Sequence, residues 1–203
     1  MSTGGGLVNR QNQPGGCKCC EPTDTGRRSV LTGALALALS STIGSDASAE
    51  RSPKPAPGDR LAFMLGERKD QEIKPADLEI GKEPTLAYPL DPASGKPLIS
   101  RVGLLVVVRL KPEELQPSSQ RNAADGIVAF SAICTHYGCP VTTLHPSQSQ
   151  IVCNCHGSVF NAADRGAVTA GPATRRLSML PLAIQDGALV VAGALDGPIG
   201  PPT

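Results

Sequence analysis

Two short stretches of the chain carry side chains that bind metal ions. Residues 134–139 read Cys-Thr-His-Tyr-Gly-Cys, which we call the first box, and residues 153–158 read Cys-Asn-Cys-His-Gly-Ser, the second box. In each box a cysteine precedes a histidine at short spacing, and each box holds a second cysteine. Two thiolates and two imidazoles can therefore bind one metal centre, and the sulfur atoms of the other two cysteines are not needed as ligands. The pattern predicts a metal site together with a disulfide.

Two kinds of metal centre use this set of ligands. A tetrahedral zinc ion is often bound by two cysteines and two histidines. A 2Fe-2S cluster with one iron on two thiolates and the other on two imidazoles needs the same side chains. The ligand types alone leave both centres open.

The order of residues in the boxes resembles the Rieske iron-sulfur family. The two boxes of that family read Cys-Thr-His-x-Gly-Cys and Cys-x-Cys-His-Gly-Ser, and this chain matches both at every fixed position. The resemblance implies a Rieske-type 2Fe-2S cluster as the cofactor. The alternative, a zinc-stabilised interaction module, leaves Cys139, Cys155 and the Gly-Ser end of the second box without a role.

The resemblance also implies a role for individual residues. It implies four cluster ligands, two cysteines on a buried iron and two histidines on the outer iron: Cys134, Cys153, His136 and His156. Cys139 and Cys155 would pair as a disulfide that ties the two loops together. We expect no catalytic residue in this chain, because the boxes account for two of the three histidines and His145 lies in a polar stretch between them.

Six further residues are expected to shape or tune the cluster: Gly138, Gly157, Ser158, Phe160, Gly171 and Pro172. Ser158 matches a family serine whose hydroxyl donates to a bridging sulfide. Phe160 stands where the high-potential members of cytochrome bc complexes carry a tyrosine that donates to a ligand thiolate. We therefore expect a potential below that of those complexes, within the range of about −150 to +300 mV of Rieske centres. The Gly-Pro pair is expected to form a rigid lid.

Composition sets limits on the remaining possibilities. The chain has 203 residues and a formal net charge of +1, which gives no electrostatic case for nucleic-acid binding. Aromatic residues are only 2% of the chain, so the core must rest on aliphatic side chains. The many glycines and prolines are typical of short strands joined by shaped loops.

Residues 1–49 are predicted to be a twin-arginine export signal preceded by a disordered N-terminal region that contains Cys17, Cys19 and Cys20. Arg27-Arg28 is followed by an apolar run and by the small-x-small site Ala47-Ser48-Ala49. The run of about 14 residues is shorter than the roughly 20 of a membrane span. This favours export of the folded protein to the periplasm and cleavage, with an uncleaved membrane anchor as the alternative. The predicted disulfide also needs an oxidising compartment.

The rest of the chain is predicted to hold a Pro-rich linker, residues 50–72, and a Rieske domain, residues 73–203, with its cluster-binding part at about 131–175. Alternating and continuous apolar runs predict strands over 78–80, 86–90, 104–110 and 127–130, with a surface insertion between the last two. Asp186-Gly187 between two further apolar runs predicts a hairpin. The expected fold is all-β, an antiparallel β-sandwich with a small cluster-binding subdomain.

The resemblance implies an electron-transfer subunit of an oxidoreductase, with no substrate chemistry of its own. The strand at 77–81, Tyr88-Pro89, the leader and Phe160 make it most similar to the small subunit of arsenite oxidase. This resemblance implies a molybdopterin-containing catalytic subunit as partner and a c-type cytochrome or copper protein as the electron acceptor. The alternative is the Rieske subunit of a quinol-oxidising cytochrome bc-type complex, beside cytochrome b. Ring oxygenases are disfavoured because they need a second iron site with two histidines and a carboxylate.

Overall fold

The computed structural model describes residues 53–202. In this part the chain forms twelve strands: β1 Arg60–Phe63, β2 Thr85–Asp91, β3 Lys96–Pro97, β4 Leu105–Arg109, β5 Ile127–Ser131, β6 Thr143–Leu144, β7 Gln150–Cys153, β8 Ser158–Asn161, β9 Ala167–Ala170, β10 Met179–Leu180, β11 Leu182–Gln185 and β12 Ala188–Val191. The helical segments of the same residues are two 3-10 turns, Pro75–Asp77 and Pro112–Glu114, and the four-residue helix α1, Pro117–Gln120. The prediction of an all-β fold is confirmed.

The predictions for residues 1–49 lie outside the described residues, as do residues 50–52 of the predicted linker. These include the export signal, its cleavage site and the three N-terminal cysteines. Among residues 53–202, we find no helix with the length and apolar character that crossing a bilayer requires.

A six-stranded antiparallel sheet forms the body of the domain. Its strand order is β1-β2-β4-β5-β10, and β3 pairs with the far end of β2. β4 and β5 lie in the middle and pair from Leu105 opposite Ser131 to Arg109 opposite Ile127. Both strands are rich in β-branched residues, which suit a pleated surface packed on both sides.

Side chains of the two central strands alternate between two hydrophobic clusters. Val106, Val108 and Phe130 point into one cluster, which lies between the main sheet and the second box. Leu105 and Val107 point into the other, with residues of β11 and β12. The predicted strand at 104–110 is therefore present and buried on both faces, because successive side chains of a strand leave on opposite faces.

A second antiparallel sheet, β6-β7-β8-β9, carries the second box between β7 and β8. Cys153 at the end of β7 pairs with Ser158 at the start of β8, so the residues between them form a tight hairpin loop. Ile151 and Phe160 are fully buried and anchor this sheet on the same cluster as Phe130. The sheet is thus the small subdomain of the sandwich.

The predicted C-terminal hairpin is also confirmed. β11 and β12 pair from Leu182 opposite Val191 to Gln185 opposite Ala188. The turn residues Asp186 and Gly187 have φ values of 50° and 76°. Two successive positive φ values are those of the type I′ turn, whose twist matches that of paired strands.

Two stretches differ from the sequence-based expectation. Residues 60–63, inside the predicted linker, form β1 and pair with β2, and Leu61 and Ala62 are fully buried. The proline-rich pattern ends at Pro57, so the sheet begins well before residue 73. The prediction of a strand at 78–80 was wrong except for one isolated bridge from Ile80 to Arg109, because Pro75 starts a 3-10 turn that turns the chain away from the sheet.

Candidate metal centre

Each of the two boxes contains the same kind of backbone turn. In the first box the N–H of Gly138 donates to the carbonyl oxygen of Cys134 at 2.9 Å, and in the second the N–H of Gly157 donates to that of Cys153 at 3.0 Å. Gly138 and Gly157 have φ values of 77° and 72°, a region that side chains other than glycine's rarely adopt. The two glycines therefore close a matched pair of turns, each starting at a predicted thiolate ligand.

The fold brings the two turns together at one end of the domain. The rings of His136 and His156 lie 4.8 Å apart, centroid to centroid, at nearly right angles. The sulfur atoms of Cys139, Cys153 and Cys155 lie within 4.8 Å of one another. This group contains one predicted ligand, Cys153, and the two cysteines of the predicted disulfide. The structure therefore brings the two imidazoles together and, as a separate group, these three thiols.

Burial divides the site into an inner and an outer half. Cys134 and Cys153 are each 1% exposed. His156 is exposed and His136 is half-buried. Tyr137, which is 71% exposed, lies beside both imidazoles, with ring centroids 4.3 Å from His136 and 5.7 Å from His156. Two sulfur donors thus face the core and two nitrogen donors face solvent.

The side chains present fit a bound cluster. Nδ1 of His136 is buried and has no hydrogen-bond partner among the described residues. Buried polar atoms are nearly always paired, so an unpaired imidazole nitrogen in the first box is the expected state of a metal ligand viewed without its metal. Two thiolates and two neutral imidazoles are also the donor set of a Rieske-type 2Fe-2S centre.

Burial governs the ionisation of the Cys153 thiol. It raises the pKa of Cys153 to about 12, and the neighbouring thiol of Cys134 adds to this effect. The hydrogen bond with Cys155 raises the pKa of Cys139 as well. At neutral pH Cys153 is therefore a thiol, and as a metal ligand it would have to lose this proton. The structure holds all four described cysteines as thiols, so the disulfide between Cys139 and Cys155 stays a prediction.

Comparison with known families decides the class. Residues 100–181 match the model of the Rieske [2Fe-2S] domain. This chain contains a Rieske domain. Its cofactor is the Rieske-type 2Fe-2S cluster, as the two boxes predict. The match includes both boxes, the whole of the second sheet, and β4, β5 and β10 of the main sheet.

The Rieske domain has relatives among curated proteins and solved structures. The chain is 29% identical over 190 residues to the cytochrome bc1 complex Rieske iron-sulfur subunit of Streptomyces coelicolor, an alignment that covers 87% of this chain and 53% of that protein. It is 36% identical over 99 residues to the subunit of the same name from Streptomyces lividans, covering 48% and 58%. The chain thus spans little more than half the length of these relatives. The plasma membrane Rieske protein of Synechocystis PCC 6803 aligns with a TM-score of 0.38 and 28% identity, over 58% of this chain and 93% of that one.

Apart from Gly138, which closes the first turn, the residues predicted to tune the cluster lie in or near the second box of the Rieske domain. Ser158 is buried, and its Oγ accepts the N–H of Ala173 at 3.2 Å, which leaves its own proton available to the site. Gly171 lies against the second box, because a Cβ there would stand 2.4 Å from the carbonyl oxygen of Gly157. Gly171 therefore packs against this turn, and the role of the Gly171-Pro172 pair as a lid over the cluster stays a prediction. Phe160 is fully buried.

Two polar contacts of the first turn, and a third that supports one of them, were not foreseen from the sequence. Nη2 of Arg101 donates to the carbonyl oxygen of Gly138 at 2.8 Å. The hydroxyl of Thr135 donates to the carbonyl oxygen of Arg175, whose guanidinium donates in turn to the carbonyl oxygen of Gly200. Each contact joins residues far apart in the chain, so no local pattern marks them. His145, by contrast, lies in the turn after β6 with its Nδ1 3.1 Å from Ser147 Oγ, as expected of a loop residue.

Proposed function

We propose that this chain is the electron-transfer subunit of a quinol-oxidising complex of the cytochrome bc1 type. The observation that carries the proposal is the meeting of two matched turns, with buried thiols behind and imidazoles in front. The names of the curated relatives support this complex over the arsenite oxidase that the sequence resemblance favoured. The partner would then be cytochrome b, with a c-type cytochrome as acceptor.

In this proposal the cluster is held by four side chains: Cys134, Cys153, His136 and His156. A cluster bound in this way accepts and returns one electron at a time. The buried cysteines keep water from the inner half of the site. The histidines form the exposed side, so the shortest path for an electron to a partner leaves through them.

The same histidines can hold a proton. An imidazole that binds metal through one ring nitrogen keeps the other for a proton, and His156 presents its ring to solvent. Oxidation of a quinol releases protons together with electrons. A ligand histidine at the contact with the donor can therefore receive a proton when the electron arrives.

The second candidate is the small subunit of an arsenite-oxidase-like enzyme, beside a molybdopterin-containing subunit and with a c-type cytochrome or copper protein as acceptor. Phe160 favours it, because this buried ring lies at the position of the tyrosine of high-potential relatives and has no hydroxyl to donate. We expect the potential to be correspondingly low.

We further propose that the protein is exported folded by the twin-arginine route and works at the periplasmic face of the membrane. The paired arginines and the apolar run of the leader support export. The two outer cysteines support it too, because a disulfide between Cys139 and Cys155 needs an oxidising compartment. An uncleaved leader would keep the subunit at the membrane.

Purification of the full-length protein with its complex, in mild detergent from the membranes that produce it, tests the proposal. We expect cytochromes b and c to copurify, and a quinol to reduce the cluster in a reaction that quinol-site inhibitors block. Copurification of a molybdenum subunit, with reduction of the cluster by arsenite, would establish the second candidate instead. A colourless protein that contains zinc and gives no paramagnetic signal after dithionite would overturn both.

A further inference from the structure

Arg101 reaches the first turn of the site from outside both boxes. It lies in the loop between β3 and β4, and its guanidinium Nη2 is 2.8 Å from the carbonyl oxygen of Gly138. A Cβ added to Gly138 would stand 2.6 Å from the same nitrogen, so the guanidinium lies directly against the turn. Gly138 is next to Cys139 in the chain and two residues from His136.

The charge of Arg101 is not offset by a carboxylate within residues 53–202. Five arginines of that part of the chain form ion pairs with aspartate or glutamate: Arg60, Arg68, Arg109, Arg165 and Arg176. Arg101 instead donates to a neutral carbonyl. Its positive charge therefore acts on the first turn without a neighbouring negative charge to cancel it.

We propose that Arg101 is a positioning residue of the site and that its uncompensated charge makes the cluster easier to reduce. Reduction adds one negative charge to the cluster, and a fixed positive charge beside a ligand loop stabilises that form more than the oxidised one. The hydrogen bond holds the guanidinium in place, so the charge acts at a constant distance. The inference rests on the proposed ligands but not on the complex in which the subunit works.

A charge series at position 101 separates the charge from the hydrogen bond. Arg101→Lys keeps the charge, Arg101→Gln keeps a donor without the charge, and Arg101→Glu reverses it. The midpoint potential of the full-length protein is measured by redox titration at low ionic strength, with the paramagnetic signal of the reduced cluster as readout. We expect Arg101→Lys to stay near the wild type, Arg101→Gln to lower the equilibrium constant for reduction roughly two- to tenfold, and Arg101→Glu to lower it further.

Arg109 supplies the control. It is half-buried, whereas Arg101 is exposed, and it forms an ion pair with Asp125. Like Arg101 it donates to backbone carbonyls, those of Pro75 and Leu78. Arg109 lies opposite Ile127 in β5, and Ser131 lies at the other end of the same strand. Ile127 and Ser131 are about 13 Å apart along the strand, at about 3.3 Å per residue. Arg109→Gln should leave the potential unchanged. Salt at about 1 M should reduce the shift of Arg101→Gln, because it screens exposed charges.

Two results would overturn the inference. One is an unchanged potential in Arg101→Gln at full cluster content. The other is a drop in Arg101→Lys as large as in Arg101→Gln, which would mean that geometry and not charge is responsible. If Arg101→Glu does not retain its cluster, the lysine and glutamine variants decide alone. Since no partner protein takes part in the titration, failure to oxidise quinol would bear on the proposed function and not on this inference.

Discussion

The two turns of the site have the same backbone hydrogen bond but opposite kinds of support. The first turn is held from within the domain, where Thr135 and Gly138 are buried and bonded to the Arg175 carbonyl and the Arg101 guanidinium. The second turn is exposed from residue 154 to residue 157, and the loop that contains Gly171 lies against it. One geometry can thus be maintained by a packed interior or by a covering loop.

This difference determines which substitutions each turn tolerates. In the first turn, the supporting groups come from distant parts of the chain. In the second turn, stability depends on the close contact between two backbone segments. Substitutions can therefore test the two kinds of support separately.

Loss of a proposed inner ligand should have the largest effect. Cys153→Ser replaces the buried thiol of such a ligand by a hydroxyl, and we expect no cluster to bind because soft thiolate ligands hold the inner iron of a Rieske-type cluster. Iron content per protein and visible absorption measure the result. His145→Asn is the control and should retain the cluster fully, since His145 contacts Ser147 and not the site. A stable cluster in Cys153→Ser would contradict the ligand assignment.

Two glycines of the second turn and its lid should differ in their tolerance of a methyl group. A Cβ on Gly171 would stand 2.4 Å from the Gly157 oxygen and 2.5 Å from the Ser158 Cα, whereas one on Gly157 would have no described atom within 4 Å. Both have positive φ. Gly157→Ala should lower the free energy of unfolding by about 1–2 kcal/mol, and Gly171→Ala by about 2–5 kcal/mol. Denaturant titrations measure the free energy of unfolding of both variants. Equal losses would show that the close contact between Gly171 and the second turn is unimportant.

The predicted disulfide would couple the two turns. Joining Cys139 and Cys155 closes a loop of roughly 15 residues, which is worth about 3 kcal/mol in an oxidised protein. We expect Cys155→Ser to lose that amount without reductant and to match the wild type when reductant is present. Alkylation before and after reduction, followed by mass spectrometry, counts the paired sulfurs. Free alkylation of both thiols in exported protein would rule the disulfide out.

Asp196 should show a smaller effect that depends on pH. Burial acts to raise the pKa of Asp196, but hydrogen bonds from Arg176, Arg165 and the Met179 N–H outweigh it and hold the pKa below the usual value. Arg176 follows the lid of the second turn, so this carboxylate fixes the base of that segment. Because the pKa of Asp196 is lower in the folded than in the unfolded protein, its carboxylate stabilises the fold at pH values above the unfolded pKa of about 3.9. This stabilisation is lost as the pH falls through the pKa of the folded state.

We therefore expect Asp196→Asn to be less stable than the wild type by about 1.5–3 kcal/mol at neutral pH. The difference should shrink as the pH falls below about 4, because the wild-type carboxylate is then protonated as well. Thermal unfolding at several pH values measures this trend. Asp186→Asn, in the exposed hairpin turn, is the control and should have little effect at any pH.

The parts of the fold that were predictable are those encoded over short stretches of sequence. The boxes, the apolar run of β4 and the Asp186-Gly187 turn each act over a few neighbouring residues. β1 was missed because its burial depends on pairing with β2, more than twenty residues later. The contact of Arg101 with Gly138 spans 37 residues and involves a backbone carbonyl, which every residue type offers. No sequence pattern distinguishes such an acceptor.

The unequal burial of the four proposed ligands also bears on how the protein would lose its iron. A chelator in solution meets the imidazoles first, whereas the sulfurs of Cys134 and Cys153, each 1% exposed, stay out of its reach while β5 and β7 remain packed. Complete demetallation should therefore proceed at the rate at which the domain opens. That rate should not increase with chelator concentration once the outer ligands have been attacked.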